Sequence, residues 1–389
     1  MAQGPLSGIR VLELGGYVSG PYGTSLLCAL GADVVKVERP GEGDDFRRRL
    51  NDKSKYFMQF NAGKRSLAVD LKSVAGAGLV RDLLPRFDVL VENMRPGKAA
   101  GLGLGQEACV ALNPDLIYVS VSGFGDGGPL AQRAAYDTIG QAYGGLYTVL
   151  ADQGAPQLSG NLFADTITGL VTATGVLAAL VGRLNTGQAQ SVQTSLVEAV
   201  STLTVDAVSQ YFDTGVDPYR TTRHPQAQNF CVRTSTGEAL AVHLSNSQKF
   251  WENLTVALGR PDLLEDPRFT NYLTRDTHYF ALADIVTAEF LTRSVDEWEK
   301  RLTEADVPFG PVNTVSTFLA HEQTRWLELA EPERDGLALI RPPWRFDGER
   351  PTRSVPTPTV GQNTLDVAAE VWSQEQIDRH LADGTISAP

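Results

Sequence analysis

The sequence predicts an α/β protein whose larger part is a Rossmann-like domain. Up to about residue 122, short runs rich in β-forming residues alternate with helical stretches, which is typical of a parallel sheet covered by helices. The chain has 389 residues, of which 42% are hydrophobic and 21% charged. That length and composition favour a large core divided between two domains rather than a disordered chain.

Five runs in this first part predict the strands of the parallel sheet. The first run ends in a glycine-rich turn, and the helix predicted after that turn covers residues 24–30 and ends at Gly31. The glycines of the turn do not have the spacing of the dinucleotide-binding motif, so they do not predict NAD. A structural turn explains them better. The predicted strands are residues 9–14, 33–38, 66–71, 88–93 and 116–123.

The second part of the sequence is mostly helical. Two long helices are predicted at 164–184 and 191–212, and the first is interpreted as a buried helix because its apolar stretch is too short to span a membrane. A proline-containing linker, 213–228, marks a possible domain boundary. It is followed by a strand pair at 229–244, by three helical segments, and by a last helix at 364–381. The predicted domains are 1–215 as the large domain, 225–325 as the small domain, and 330–389 returning to the large one.

Composition excludes several functional classes. The net charge of −12 argues against binding to nucleic acid or to an anionic membrane. Residues 1–100 nevertheless hold 15 Lys and Arg against 11 Asp and Glu, so a polyanionic ligand would find its complement there. The three cysteines, Cys28, Cys109 and Cys231, suggest neither a disulfide framework nor a metal site. Residues 1–14 lack the pattern of a secretory signal, and a cytoplasmic location is expected.

Six segments, taken together and in order, resemble the class III CoA-transferases. This family includes formyl-CoA transferase, carnitine CoA-transferase and α-methylacyl-CoA racemase. The resemblance implies a Rossmann-like large domain, a smaller α+β domain, and an interlocked homodimer. It also implies a coenzyme A thioester and a small carboxylic acid as substrates, with no prosthetic group. The segments are LGADVVKVERPGEGD, NAGKRSLAVDLK, DVLVENMRPG, NPDLIYVSVSGFGDGGP, ADTITG and VPFGPV.

The resemblance places coenzyme A on the large domain, near the ends of the predicted strands. Arg39 follows a strand, where its guanidinium could pair with a phosphate or stack on adenine. A surface salt bridge to Glu38 or Asp44 is the structural alternative. Lys72 and Asn93 also follow strands, although Lys72 could be an ordinary surface lysine and Asn93 a turn former. The set of predicted CoA contacts is Arg39, Lys72, Asn93, Met94, Val18 and Tyr136. The adjacent arginines 47–49 are interpreted as a solvated helix face.

Asp165 matches the nucleophilic aspartate of the family. On its position alone, an aspartate at a helix start would be interpreted as an N-cap. The resemblance instead implies that its carboxylate attacks the donor thioester, and the helix N-terminal amides are expected to keep it ionised. Backbone amides of the glycine-rich segments 123–128 or 140–145 would then stabilise oxyanions.

Two relatives within the family differ from this sequence at informative positions. The racemases carry a histidine where this chain has Tyr136 and a glutamate near Ser245, so a proton-transfer pair is missing. Formyl-CoA transferase has a glutamine where this chain has Val18, which gives little support to formate or oxalate as substrates. Racemase activity and a non-catalytic acyl-CoA-binding role stay open as alternatives. Among the histidines, only His243 is a candidate for a role, and that role is undefined.

Overall fold

The computed structural model describes residues 4–48, 54–333, 336–353 and 356–389. The chain divides into two compact units. Unit 1 consists of Met1–Tyr147, Leu158–Asp206 and Gln323–Pro389, and unit 2 of Thr148–Gln157 and Ala207–Glu322. The sequence placed the end of the first part at 215, and it gave no sign that residues 148–157 belong with unit 2.

Unit 1 contains a seven-stranded sheet in the order β10-β3-β2-β1-β4-β5-β6. Strands β1 to β6 run parallel, and β10 pairs antiparallel with β3 at the edge. The mixed α/β architecture predicted from the sequence is therefore present. The strands are β1 Arg10–Leu14, β2 Asp33–Glu38, β3 Arg65–Val69, β4 Val89–Glu92, β5 Ile117–Ser122, β6 Val192–Ser195 and β10 Ile386–Ser387.

Both faces of this sheet are covered, as parallel strands require. Alternate side chains of β1 enter two different apolar clusters: Leu12 packs in one and Val11 in the other. The N-terminal helices of unit 1 are α1 Ser19–Ala29, α2 Lys55–Asn61, α3 Val74–Leu83, α4 Lys98–Gly101, α5 Gln106–Leu112, α6 Asp137–Tyr143, α7 Leu146–Val149, α8 Phe163–Thr186 and α9 Leu196–Ser201.

The C-terminal segment of unit 1 returns to the large sheet. Val367 and Ile377 from its helices enter the same apolar cluster as Leu12, and β10 completes the edge beside β3. The helices of this segment are α17 Glu322–Trp326, α18 Thr364–Ala368 and α19 Gln374–Ala382. Two further helices, α10 Val205–Thr214 and α16 Val315–Ala320, lie mostly in unit 2.

Unit 2 is built on a three-stranded antiparallel sheet in the order β7-β8-β9. The predicted strand pair at 229–244 is found, and the segment after 307 supplies a third strand. Trp251 and Trp298 are fully buried in its core. Its strands and helices are β7 Asn229–Arg233, β8 Ala239–His243, β9 Phe309–Pro311, α11 His224–Ala227, α12 Gln248–Leu258, α13 Tyr272–Thr277, α14 Tyr279–Phe290 and α15 Val295–Glu304.

Several helix predictions were wrong in detail. Helix α1 begins at Ser19 rather than at residue 24, and the predicted helix at 364–381 is divided into α18 and α19. The predicted helix at 191–212 is instead β6, α9 and α10, because the start of this segment pairs with β5 and joins the sheet. The helix α8 is longer than expected, with 24 residues. The length and apolar composition of α8 would suit a membrane-spanning helix, and buried core helices of globular proteins can have the same two properties. Here α8 packs against α1, α9 and the strands β5 and β6, with 39% of its most apolar window buried.

Candidate active site

The candidate site lies where β1 and β4 are neighbours in the large sheet. The sheet extends from this pair through β2 and β3 on one side and through β5 and β6 on the other. The loops that leave the carboxyl ends of such a strand pair diverge and open a crevice, where ligands bind in open α/β sheets. Two loops meet here: the turn 15–18 after β1, and residues 93–97 after β4.

Asn93 holds the turn after β1 in place. The Gly16 N–H donates to Asn93 Oδ1 at 2.9 Å, and Asn93 Nδ2 donates to the Gly16 carbonyl at 2.9 Å. Tyr17 then adopts a φ of 63°, in the left-handed region that side chains other than glycine rarely occupy. Strain of this kind persists only where the surroundings fix the backbone. Asn93 thus shapes the turn, and it also faces the cavity described below.

A buried ion network supports the same turn from below. Lys36 Nζ lies 2.6 Å from Glu13 Oε1 and 2.8 Å from Asp44 Oδ2, and it donates to the Gly15 carbonyl at 2.7 Å. Asp44 Oδ1 accepts the Tyr17 N–H at 3.2 Å. Lys64 Nζ reaches the second oxygen of Glu13 at 2.7 Å. The network therefore links the sheet interior to the backbone of the turn.

Two adjoining cavities open above this turn. The larger has a volume of about 970 Å³ and the smaller about 460 Å³. Both are lined by residues of unit 1, and they share Gly16, Tyr17, Asn93, Met94 and Lys98. Asp165, near the start of α8, also lines the larger cavity. Together they are wide enough for a ligand larger than a simple metabolite.

The seven predicted site residues all face these cavities. The larger cavity is lined by Val18, Tyr136 and Asp165, the smaller by Arg39 and Lys72, and both by Asn93 and Met94. Gly123 also lines the larger cavity, whereas residues 140–145 do not, which favours the first of the two predicted glycine segments.

Asp165 is the third residue of α8 and is not its cap. Leu162 occupies the cap position and has no side-chain capping bond. The Asp165 carboxyl group is mostly buried, and in the described part of the chain it accepts no hydrogen bond and forms no ion pair. Burial, with a contribution from the negative charge of Asp137, raises the pKa of Asp165 to about 7.

The expectation that helix amides keep Asp165 ionised was wrong. The available amide of the first turn, the Asp165 N–H, donates to Asp137 Oδ1 at 3.1 Å instead. Gln141 Nε2 donates to the other Asp137 oxygen and, at 2.8 Å, to the Asn161 carbonyl. The Asp137 carboxylate thus accepts these hydrogen bonds, whereas the Asp165 carboxyl group is desolvated and accepts none in the described chain. A carboxylate without hydrogen bonds is a better nucleophile once it loses its proton.

Close packing between α1 and α8 brings Asp165 to the turn after β1. A side chain at Gly23 would meet the Gly169 carbonyl oxygen at 2.9 Å, and one at Gly169 would meet the Tyr22 ring at 2.7 Å. Only glycine permits this approach. Since α1 begins at the turn and α8 begins near Asp165, the two helix starts face the same cavity.

Aromatic rings line one part of the larger cavity. The Tyr17 and Tyr136 ring centroids are 5.6 Å apart, and those of Tyr17 and Phe46 are 6.0 Å apart. Phe46 in turn lies 5.8 Å from Tyr56. All four rings belong to the cavity lining. These rings give the larger cavity an aromatic wall.

Two predictions about charged residues need correction. Arg47 is not solvated: it is 1% exposed, it lies 2.6 Å from Glu38 Oε2, and its guanidinium stacks 3.7 Å above the Phe57 ring. Arg49 lies outside the described residues. The salt-bridge alternative for Arg39 named the wrong partners, because Arg39 pairs with Asp45 and, at 3.6 Å, with Glu42. Lys72 is exposed.

Sequence reasoning missed several residues of the site. Asp137 had a detectable signal, since it directly follows Tyr136, one of the predicted site residues. The cations Arg48, Arg95, Lys98 and Arg133 gave no such signal, because exposed arginines and lysines are common in any sequence. The structure shows that all four line the larger cavity. In the described ranges, no three His, Cys, Asp or Glu side chains are grouped as metal ligands.

Comparison with known proteins identifies the family. Residues 6–364 match the family model for CoA-transferase family III. A protein of Fusarium pseudograminearum named acyl-CoA transferase is 31% identical over 99% of this chain and 89% of its own length. The succinate–glutarate CoA-transferase of Agrobacterium fabrum is 32% identical over 96% of this chain and 97% of its own.

A solved structure agrees with these relatives. The crystal structure of a CAIB/BAIF family protein from Brucella suis superposes with a TM-score of 0.83 at 31% identity, covering 95% of this chain and 100% of that one. The chain therefore belongs to CoA-transferase family III and is a CoA-transferase, and its substrates include coenzyme A thioesters.

Proposed function

We propose that this enzyme transfers coenzyme A between carboxylic acids through a covalent intermediate on Asp165. The observation that carries the proposal is the state of that side chain. It is a mostly buried carboxyl group without a hydrogen-bond partner in the described chain, and it faces the larger cavity. A structural aspartate in the same place would be hydrogen-bonded, as Asp137 is.

In the proposed first half-reaction, the Asp165 carboxylate attacks the donor thioester carbonyl. The C–S bond breaks, which gives a mixed anhydride and the CoA thiolate. The thiolate attacks the aspartyl carbonyl, the donor acid leaves as a carboxylate, and an aspartyl-CoA thioester remains. The acceptor carboxylate then attacks this thioester, and the released thiolate finally takes the acceptor acyl group and frees Asp165. One thioester replaces another, so the free-energy change is small.

The charges of the two cavities support coenzyme A as the ligand. Cations line both: Arg95, Lys98 and Arg133 in the larger, and Arg39 and Lys72 in the smaller. Phosphates bind best to such groups, and a chain with a net charge of −12 has otherwise little attraction for a polyanion. In this proposal, the phosphate end of CoA occupies the cationic part and the thioester reaches Asp165.

Two further properties belong to the proposal. An interlocked homodimer is supported by exposed apolar side chains, such as Leu184 at 83% and Phe212 at 80% exposure, which a second copy would cover. A cytoplasmic location is supported by Cys28, Cys109 and Cys231, none of which forms a disulfide in the described chain. Sedimentation of the purified protein and fractionation of cells would test these two points.

Relatives make acids with two carboxylates the first acceptors to test, since the Agrobacterium protein is named for succinate and glutarate. The racemase alternative finds no support in the site. The described lining of the larger cavity contains no histidine, and Tyr136 stands where a base would be needed.

The test is covalent trapping. The protein is incubated with succinyl-CoA, treated with hydroxylamine, and digested for peptide mass analysis. We expect a hydroxamate at Asp165 only when the acyl-CoA is present. Asp165→Ala should lose at least about 10³-fold of transfer, because the nucleophile is gone, while CoA binding changes little.

Asp115→Ala is the matched control, because Asp115 is an exposed aspartate outside both cavities. It should keep wild-type turnover. Wild-type turnover in Asp165→Ala would overturn the covalent route. Incorporation of solvent deuterium into a 2-methylacyl-CoA, without transfer, would instead identify a racemase.

A further inference from the structure

Four cations of the larger cavity have no carboxylate partner. In the described chain, Arg48, Arg95, Lys98 and Arg133 form no ion pair with any carboxylate, whereas Arg260 and Arg268 in unit 2 do. An unpaired cation that lines a cavity attracts an anionic ligand. Coenzyme A phosphates explain a cluster of such charges, but not a cation placed among aromatic rings.

Arg48 is that cation. Its guanidinium carbon lies 3.9 Å from the Tyr56 ring centroid and 5.4 Å from that of Phe46. Arg48 directly follows the short helical turn Asp45–Arg47, and its backbone has a φ of 50°. Stacking on a ring orients a guanidinium and leaves its edge free to donate hydrogen bonds.

The aromatic wall connects Arg48 with the nucleophile. From Tyr56 the rings continue through Phe46 and Tyr17 to Tyr136, in contacts of 5.8, 6.0 and 5.6 Å between centroids. Tyr136 is followed directly by Asp137, whose carboxylate accepts the Asp165 N–H. The Asp165 carboxyl group and the Arg48 guanidinium therefore face the same cavity, and the four rings belong to its lining.

We infer that Arg48 binds the second carboxylate of a dicarboxylic substrate. The first carboxylate, or the thioester made from it, meets Asp165, the methylene chain lies along the rings, and the second carboxylate forms a two-pronged pair with the guanidinium. Arg48 is exposed, so its guanidinium is accessible to such a carboxylate, and a planar guanidinium matches a carboxylate with two parallel hydrogen bonds. The inference rests on the proposed CoA transfer and identifies its substrate class and the residue that selects it.

Internal competition between matched acids tests this inference. Each reaction contains equal concentrations of a dicarboxylic acid and the monocarboxylic acid of the same chain length: succinate with butyrate, glutarate with pentanoate, adipate with hexanoate. Acetyl-CoA serves as donor for all three pairs. Succinyl-CoA serves as donor in a separate arm with the glutarate and adipate pairs only, because its transfer to succinate would regenerate the donor. Mass spectrometry measures the ratio of the two acyl-CoA products. This ratio reports the relative kcat/KM of the two acceptors and does not depend on donor or enzyme concentration.

We expect the wild-type enzyme to favour at least one dicarboxylic acid by 10-fold or more. Arg48→Gln should lower this ratio about 10- to 100-fold, since one charge-assisted pair is lost, with monocarboxylate turnover within about 3-fold of wild type. Arg48→Lys keeps the charge but loses the planar fork, and its ratio should lie between the two. Arg293→Gln removes a guanidinium that lies 5.1 Å from the Trp298 ring in unit 2, and the ratio should not change.

The outcomes separate this inference from the proposed function. Transfer that shows no preference for dicarboxylic acids in the wild type would overturn the role of Arg48 and leave CoA transfer standing. An equal loss with both acids in Arg48→Gln would do the same, because it would show an effect on CoA binding or folding. Absence of transfer to every acid from both donors would overturn the proposed function and this inference with it.

Discussion

Two groups of charged side chains in unit 1 lie on either side of the turn after β1, and they differ in one respect. Below the turn, Glu13, Lys36 and Lys64 are fully buried and paired with one another. Above the turn, Asp165 and Arg48 have no ionic partner in the described chain. The contrast teaches that pairing, rather than charge or burial alone, separates charges that hold this fold from charges available to a ligand.

The pKa values follow the same division. Burial opposes ionisation of Glu13, yet Lys36 and Lys64 hold its pKa at about 2. At Asp165, burial acts in the same direction and is reinforced by Asp137, so the pKa is about 7. The buried group with partners is thus fully charged at neutral pH, and the one without partners is close to half protonated.

Breaking the paired group should have the largest effect. Lys36→Met leaves the buried Asp44 without its cation and Glu13 with Lys64 alone, and we expect the unfolding free energy to fall by about 3–5 kcal/mol. The measurement is the urea midpoint of unfolding. Lys300→Met is the control, because its partner Glu304 lies 3.9 Å away with both side chains exposed, and such pairs contribute less than about 1 kcal/mol. Equal shifts of the urea midpoint in both variants would contradict the distinction between the buried ion network and an exposed ion pair.

Much of the sheet could be predicted from the sequence, because its strands are fully buried and read as continuous apolar runs. Val34, Val35 and Val37 made β2 visible, and its bounds were predicted without error. β6 and β10 were missed for the opposite reason. They have four and two residues, they lie at the sheet edges, and their pairing with β5 and β3 is a tertiary event that local pattern does not record.

The residues of the site were likewise predictable only in part. Asp165, Asn93 and Arg39 lie in motifs with a recognisable spacing, and all three face the cavities. Arg47 and Arg48 are adjacent and chemically identical, so sequence could not show that one is paired in the interior while the other faces the cavity. The raised pKa of Asp165 was also not predictable, because it results from burial and from Asp137 across a helix start.

The unpaired carboxyl group should make the protein less stable at alkaline pH. A folded-state pKa of about 7 against an ordinary value near 3.8 means that stability from this group is full below pH 4 and is lost as the pH rises through 7. At pH 8, Asp165→Asn should therefore be more stable than the wild type by about 1–3 kcal/mol. Thermal unfolding at pH 5 and pH 8 measures this: at pH 5 most of the difference should vanish. A variant that is less stable at pH 8 would show that Asp165 is a structural residue.

The smallest expected effect concerns the pairing between the two aspartates. Asp137→Asn removes the negative charge that helps to raise the pKa of Asp165, while an amide oxygen can still accept the Asp165 N–H. In the wild type, kcat/KM for the acyl-CoA donor should rise with pH and reach half of its plateau near pH 7, as Asp165 ionises. In the variant this midpoint should move to lower pH by up to about one unit, because desolvation, the larger cause, is unchanged.

Ser159→Ala is the control: it removes a hydroxyl that donates to Gln141 at 2.6 Å but changes no charge, so its midpoint should match the wild type. A midpoint that moves in Ser159→Ala as far as in Asp137→Asn would show that the hydrogen-bond network, and not the charge of Asp137, sets the ionisation of the nucleophile.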